Sequence, residues 1–154
     1  MIQRIQTVFL LLAILALIAF NIFPYWQTTP GEGGENFLLM SYGFIRASET
    51  NIFPNVSLYT LVGGISALAM IIVLIEIFRY KNRVLQMKLA IANSFLMSIN
   101  LALMIYFIFT LQKEYQGTFG IGIFIYALAM LLNILSRRFI QKDEKLVRSV
   151  DRLR

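Results

Sequence analysis

The 154-residue chain has neither cysteine nor histidine. Without cysteine there is no disulfide framework, no thiolate nucleophile and no lipoprotein anchor. Without histidine the commonest general base and the commonest metal ligand are both missing. Aspartate occurs only at 143 and 151, in the C-terminal tail, which excludes an intramembrane aspartyl pair. A serine nucleophile would lack its usual partner, and no cluster of carboxylates or imidazoles could hold a metal. The chain therefore reads as a non-enzyme with no cofactor. Charge is scarce as well: 14% of residues are charged against 58% hydrophobic, too little polar material to coat a soluble globule of this size.

What is present is grease in long pieces. Four apolar stretches predict membrane spans over roughly 5–23, 58–78, 89–111 and 119–136, within a single integral membrane domain, 1–154. The first stops at Pro24, which has no N–H and biases its predecessor away from helix. The basic N-terminus resembles a signal peptide, but Phe20-Asn21-Ile22-Phe23 is too bulky for a cleavage site, so a retained helix is expected.

Lys and Arg divide unevenly between the connecting segments. The N-terminus carries Arg4, the second loop Arg79, Lys81, Arg83 and Lys88, and the tail 137–154 seven more basic residues. The first and third loops carry only Arg46 and Lys113. This asymmetry predicts cytoplasmic N- and C-termini. The net charge of +6 therefore belongs to the membrane boundary rather than to a nucleic-acid surface.

The first external loop, 24–57, is too long for a simple connector. Tyr25–Thr29, a Pro30–Gly34 turn and the apolar run Phe37–Ile45 predict a small β-hairpin on the outer surface. Its aromatics, Tyr25, Trp26, Phe37, Tyr42, Phe44 and Phe53, are expected at headgroup depth. An interfacial cap is the preferred reading, and a docking surface for a partner or lipid, with Trp26 in it, the alternative.

Polar residues inside the spans are the candidate site, because they are costly there. Counted from the nearest basic boundary, Glu76, Asn93 and Asn133 should fall at similar depths, within about two turns of it. As structure, the amides bridge helices and Glu76 pairs with Arg79 or Arg83. As function, Glu76 binds a proton or cation; its closeness to basic neighbours favours the structural reading. Asn93, Met97, Asn100 and Met104, flanked by Ser94 and Ser98, make one polar face on span three that should point inward. Ala13, Ala16 and Ala19 in span one, with Gly63 and Ala67 in span two, are small enough for close helix approach. Gly117, Gly120 and Gly122 miss the dinucleotide fingerprint and are assigned to helix entry and packing. No internal repeat stands out, so a single-chain inverted-repeat transporter has no support.

The tail combines an apolar stripe (Phe139, Leu146, Val150 and Leu153, beside Ile140 and Val147) with mixed charge. A cytoplasmic amphipathic helix continuing span four is expected, with Glu144 and Arg148 as an i, i+4 pair. It would rest on anionic headgroups or dock a partner through Leu146, Arg148, Val150 and Arg152; both readings stay open.

The ends Met1-Ile2-Gln3-Arg4-Ile5-Gln6-Thr7 and Lys142-Asp143-Glu144-Lys145-Leu146-Val147-Arg148-Ser149-Val150-Asp151-Arg152-Leu153-Arg154 resemble those of a family of small four-span membrane proteins from Bacteroidota, catalogued as a domain of unknown function. That resemblance implies a bacterial inner-membrane location and supplies no activity. The expected fold is thus an all-α, four-helix membrane bundle with a small extracytoplasmic β-hairpin. The expected function is a non-catalytic accessory subunit or assembly scaffold of a larger membrane complex, with the bilayer and a membrane protein or a second copy as partners. The rival is a small oligomeric transporter or channel using Glu76. A lipid-directed enzyme would have to work without histidine or cysteine.

Overall fold

In a computed structural model the protein is described over residues 2–28, 36–46, 58–80 and 82–151, with side chains described for 5–28, 36–46, 58–80 and 82–145. The elements run α1 (Ile2–Ile22), β1 (Trp26–Thr28), β2 (Phe37–Met40), β3 (Gly43–Arg46), α2 (Thr60–Phe78), α3 (Arg83–Leu111), β4 (Gly117–Phe119) and α4 (Ile121–Asp151). All four helices carry a segment long and apolar enough to cross a membrane. Their boundaries follow local chemistry. α1 ends two residues before Pro24, and Asn82 caps α3 by accepting from the Leu85 amide at 3.1 Å.

The helices pack around a shared interior, α1 against α2 and α4, and α3 against the same two. Each shows a buried stripe at 3–4 residue spacing: Leu10, Ala13, Leu17 and Phe20 on α1, Val62, Ser66, Ala69 and Val73 on α2, and Tyr126, Ala129 and Asn133 on α4. The inward face expected for span three is there: Asn93, Met97, Asn100 and Met104 are all buried. Large apolar side chains such as Phe78, Phe95, Tyr106 and Phe124 point outward, as suits helices solvated by lipid. Of the expected small contact positions, Ala13 is buried, but Ala67 faces outward, and Gly63 meets the β-sheet instead of a helix.

The hairpin is larger than predicted. Four short antiparallel strands form one sheet in the order β3-β2-β1-β4. The run Phe37–Ile45 is itself folded back, with Met40 opposite Gly43 across a tight turn. Gly117–Phe119, expected to open span four, is instead a strand paired to Trp26–Thr28. The sheet therefore knots the loop after α1 to the loop after α3, at one end of the bundle. The Pro30–Gly34 turn and Phe53 lie outside the described residues. The other end carries the start of α1, the end of α4 and the turn between α2 and α3; the two are the sheet end and the terminal end.

At the sheet end, backbone approaches backbone closely. A Cβ on Gly63 would come within 2.6 Å of the Ser41 carbonyl oxygen, and one on Gly117 would collide with the Trp26 ring. Glycine is what lets the sheet sit down on the bundle. Phe37 and Phe44 stack at 5.0 Å, Tyr115 joins them, and Tyr59 bridges Phe44 to Phe107 on α3. At the terminal end α4 runs on without a break. Its 31 residues span about 46 Å at ~1.5 Å per residue, beyond the roughly 30 Å of bilayer hydrocarbon.

Candidate functional site: a ladder of buried polar layers

Buried polar side chains recur up the bundle interior, and hydrogen bonds fix their level. Gln86 Nε2 donates to the Glu76 carbonyl at 3.0 Å, and Asn100 Nδ2 to the Val62 carbonyl at 3.2 Å. Both contacts belong to one antiparallel register of α2 and α3, which sets Asn93 against Ala69. Between α3 and α4, Asn100 Nδ2 donates to the Tyr126 hydroxyl at 3.0 Å, and Asn133 Nδ2 to Ser94 Oγ at 3.0 Å. An ion pair between Arg83 and Asp143 at 3.2 Å continues that register to the terminal end.

Three layers result. Nearest the sheet lie Asn100, Tyr126, Asn21 and Ser66; Ser66 Oγ donates to the Asn21 side-chain oxygen at 3.3 Å. The middle layer holds Asn93 and Asn133, with Asn133 also donating to the Ala90 carbonyl at 3.3 Å. The third layer, nearest the termini, holds Glu76 and Gln86. The expected cluster of Glu76, Asn93, Asn100 and Asn133 is therefore spread along the bundle. Glu76 lies about two turns, ~10 Å, from the level of Asn93. The nearest arginines do not mark equal depths: the register sets Arg79 level with Arg83 and so with Asp143, six residues further along α4 than Arg137.

Glu76 itself departs from its expected pairing. It is fully buried, and neither carboxylate oxygen has a hydrogen-bond partner among the described residues. Arg79, one proposed partner, faces outward, and Arg83, the other, is held by Asp143 on α4. Gln86 Oε1 and Gln6 Oε1 are likewise buried without a partner. Sequence reasoning missed both glutamines. Gln86 falls before the apolar stretch of span three, and Gln6 sits at the very start of span one. Their signal is helical phase: Gln6 continues the Leu10–Ala13–Leu17 stripe, and Gln86 the Ala90–Asn93–Met97 stripe.

The docking residues divide differently. Trp26, expected at an exposed surface, is fully buried between Gly117 and the bundle core, so its ring is withdrawn from any partner. Leu146, Arg148 and Val150 lie on α4, but their side chains, and all of Arg152, are outside the described residues. Phe139 of the expected tail stripe stacks on Phe9 of α1 at 5.1 Å, and Ile140 is buried. Exposed basic side chains gather at the terminal end: Arg79, Lys88, Arg138, Lys142 and Lys145.

Tyr25, just beyond α1, carries a buried hydroxyl without a hydrogen-bond partner among the described residues. Burial pushes its pKa above the ordinary tyrosine value, with a smaller contribution from Tyr59. Tyr59 is raised too, by burial first and then by Glu114 and Tyr115. Among the described residues no group of three or more His, Cys, Asp or Glu could hold a metal.

Four apolar helices around a polar-laddered interior define the class: a multi-pass membrane protein. The chain belongs to the family described as a domain of unknown function, DUF4293, whose model matches residues 2–153. No curated protein matches it.

Proposed function

We propose that the protein is a non-catalytic accessory subunit or assembly scaffold of a larger complex in the bacterial inner membrane, with both termini in the cytoplasm. The observation that carries this reading is α4, whose 31 residues are more than a bilayer crossing needs and which carries exposed Lys142 and Lys145 toward its end, on a helix braced by the Arg83–Asp143 pair. A rigid helical arm fixed to a membrane bundle suits the docking of a partner's acidic surface. The uneven distribution of Lys and Arg supports the cytoplasmic placement of that arm. Twelve of the fourteen basic residues lie in the terminal-end segments.

Photocrosslinking in native membranes tests it. A photoreactive residue at Lys142 or Lys145 should give one discrete adduct with a second protein, whereas the same group at exposed Thr118 on the sheet should not. Adducts of equal yield and spread from both ends would contradict a docking arm.

A second reading, a small oligomeric transporter or channel, is favoured by one observation: the buried carboxylate of Glu76, which has no hydrogen-bond partner among the described residues. Ionisable groups within spans mark ion pathways more often than packing. Reconstituted flux abolished in Glu76→Gln, with the fold intact, would support it; equal flux in that variant would remove it.

A further inference from the structure

The orphaned polar atoms of the third layer share one chemical property. Glu76 Oε1 and Oε2, Gln86 Oε1 and Gln6 Oε1 are all oxygens, and all are buried without a partner among the described residues. They come from three different helices. Gln86 is fixed to the turn of Glu76 by its own amide, which donates to the Glu76 backbone carbonyl and not to the carboxylate. Gln6 reaches the same level from α1. Leu10 and Val73 pack together, and one turn further toward the termini lie Gln6 on one helix and Glu76 and Ile77 on the other.

None of the four oxygens receives a hydrogen bond from the described residues, and an acceptor so deeply buried calls for a donor or a cation. The middle layer is different, since Asn93 leaves both its amide nitrogen and its oxygen free and so presents both kinds of group. Among the described residues the charged neighbours leave Glu76 without a hydrogen bond. Arg79, Lys88 and Arg138 are exposed, Arg83 is held by Asp143, and Arg137, whose buried Nε has no hydrogen-bond partner, forms no hydrogen bond to the Glu76 carboxylate.

We infer that Glu76, Gln86 and Gln6 form an intramembrane binding site for a monovalent cation. One carboxylate with two amide oxygens balances a single positive charge. A divalent ion there would stay undercompensated in a low-dielectric interior, and such ions are usually held by several carboxylates. The hard oxygen donors suit an alkali ion, and sodium is the probe of choice. The site bears on the transport reading, but it does not require the ion to move, since a bound cation would serve equally to neutralise Glu76 within a scaffold.

The test is equilibrium binding by the full chain in lipid nanodiscs, which separates the site from any flux. Radioactive sodium should bind saturably at one ion per chain, and sodium chloride should raise the thermal midpoint over an equal concentration of choline chloride. Glu76→Gln should abolish both effects, and Gln86→Leu should weaken binding at least tenfold. Asn100→Leu, in the layer nearest the sheet, should leave binding unchanged. Gln86→Glu adds a second carboxylate and should shift preference toward calcium. Absence of saturable sodium binding in the folded wild-type chain would overturn the inference, as would binding that survives Glu76→Gln. A midpoint that responds to pH but not to sodium would also overturn it, assigning the oxygens to a proton.

Discussion

The two ends of the bundle solve the same problem in opposite ways. At the sheet end, loop backbone must be kept satisfied beside the membrane, and the chain does this by pairing two distant loops into one sheet. Glycines let that sheet touch the helices, and an interlocked set of rings fills the space. At the terminal end no strand is found among the described residues. The Arg83–Asp143 ion pair braces α3 against α4, carboxylate and amide oxygens lie buried without a hydrogen-bond partner among the described residues, and α4 continues outward. The first end is built to hold, and the second has chemistry left unspent.

Breaking the holding end should have the largest effect. Trp26→Ala removes the ring on which β4 rests and should cost about 3–5 kcal/mol, typical of a buried aromatic deletion, read as a lower thermal midpoint in detergent. A midpoint within a degree or two of wild type would show that the sheet is not coupled to the bundle. Glu76→Gln should go the other way. Removing an uncompensated buried charge should stabilise the chain by at least about 1 kcal/mol in sodium-free buffer. A destabilised variant there would mean that the carboxylate has a protein partner after all.

Smaller effects sharpen the contrast. The Arg83–Asp143 pair is partly exposed, at 23% and 14% of the two side chains, so Asp143→Asn should cost no more than about 1 kcal/mol. The variant should nonetheless loosen the arm, seen as faster hydrogen exchange in the last turns of α4 and not in α1. Tyr25 gives the finest test. Its pKa is raised in the folded chain, so the stability from keeping it neutral is full below the unfolded value of about 10 and is lost as pH rises through the folded value. Alkaline titration should therefore destabilise the wild type more than Tyr25→Phe; parallel curves would place the hydroxyl in water.

Much of this architecture was legible in the sequence. Unbroken apolar length marked the four helices, Pro24 marked the end of the first, and the 4-3-4 spacing of Asn93, Met97, Asn100 and Met104 marked an inward face. The sheet was only half legible. Three-residue strands such as Gly117–Phe119 are too short to show alternation, and β1–β4 pairing joins residues some ninety positions apart. Trp26 misled because an aromatic residue after a span reads as interfacial, whereas its burial depends on that invisible partner strand. Glu76 was noticed, but its isolation was not. Basic residues nearby in sequence suggested a pair, and only the helix register shows Arg83 turned toward Asp143. Gln6 and Gln86 went unremarked because polar residues near a span's end ordinarily face water.

If the terminal end binds and the sheet end holds, shortening the tail should release a partner and leave the bundle intact. Intact-complex mass spectrometry after mild-detergent affinity purification from native membranes tests it most directly, comparing the full chain with one lacking residues 144–154. A stoichiometric partner is expected on the full chain and is lost from the truncated one, with the truncated bundle still folded. A bare homo-oligomer in both samples, or a partner retained after truncation, would contradict it.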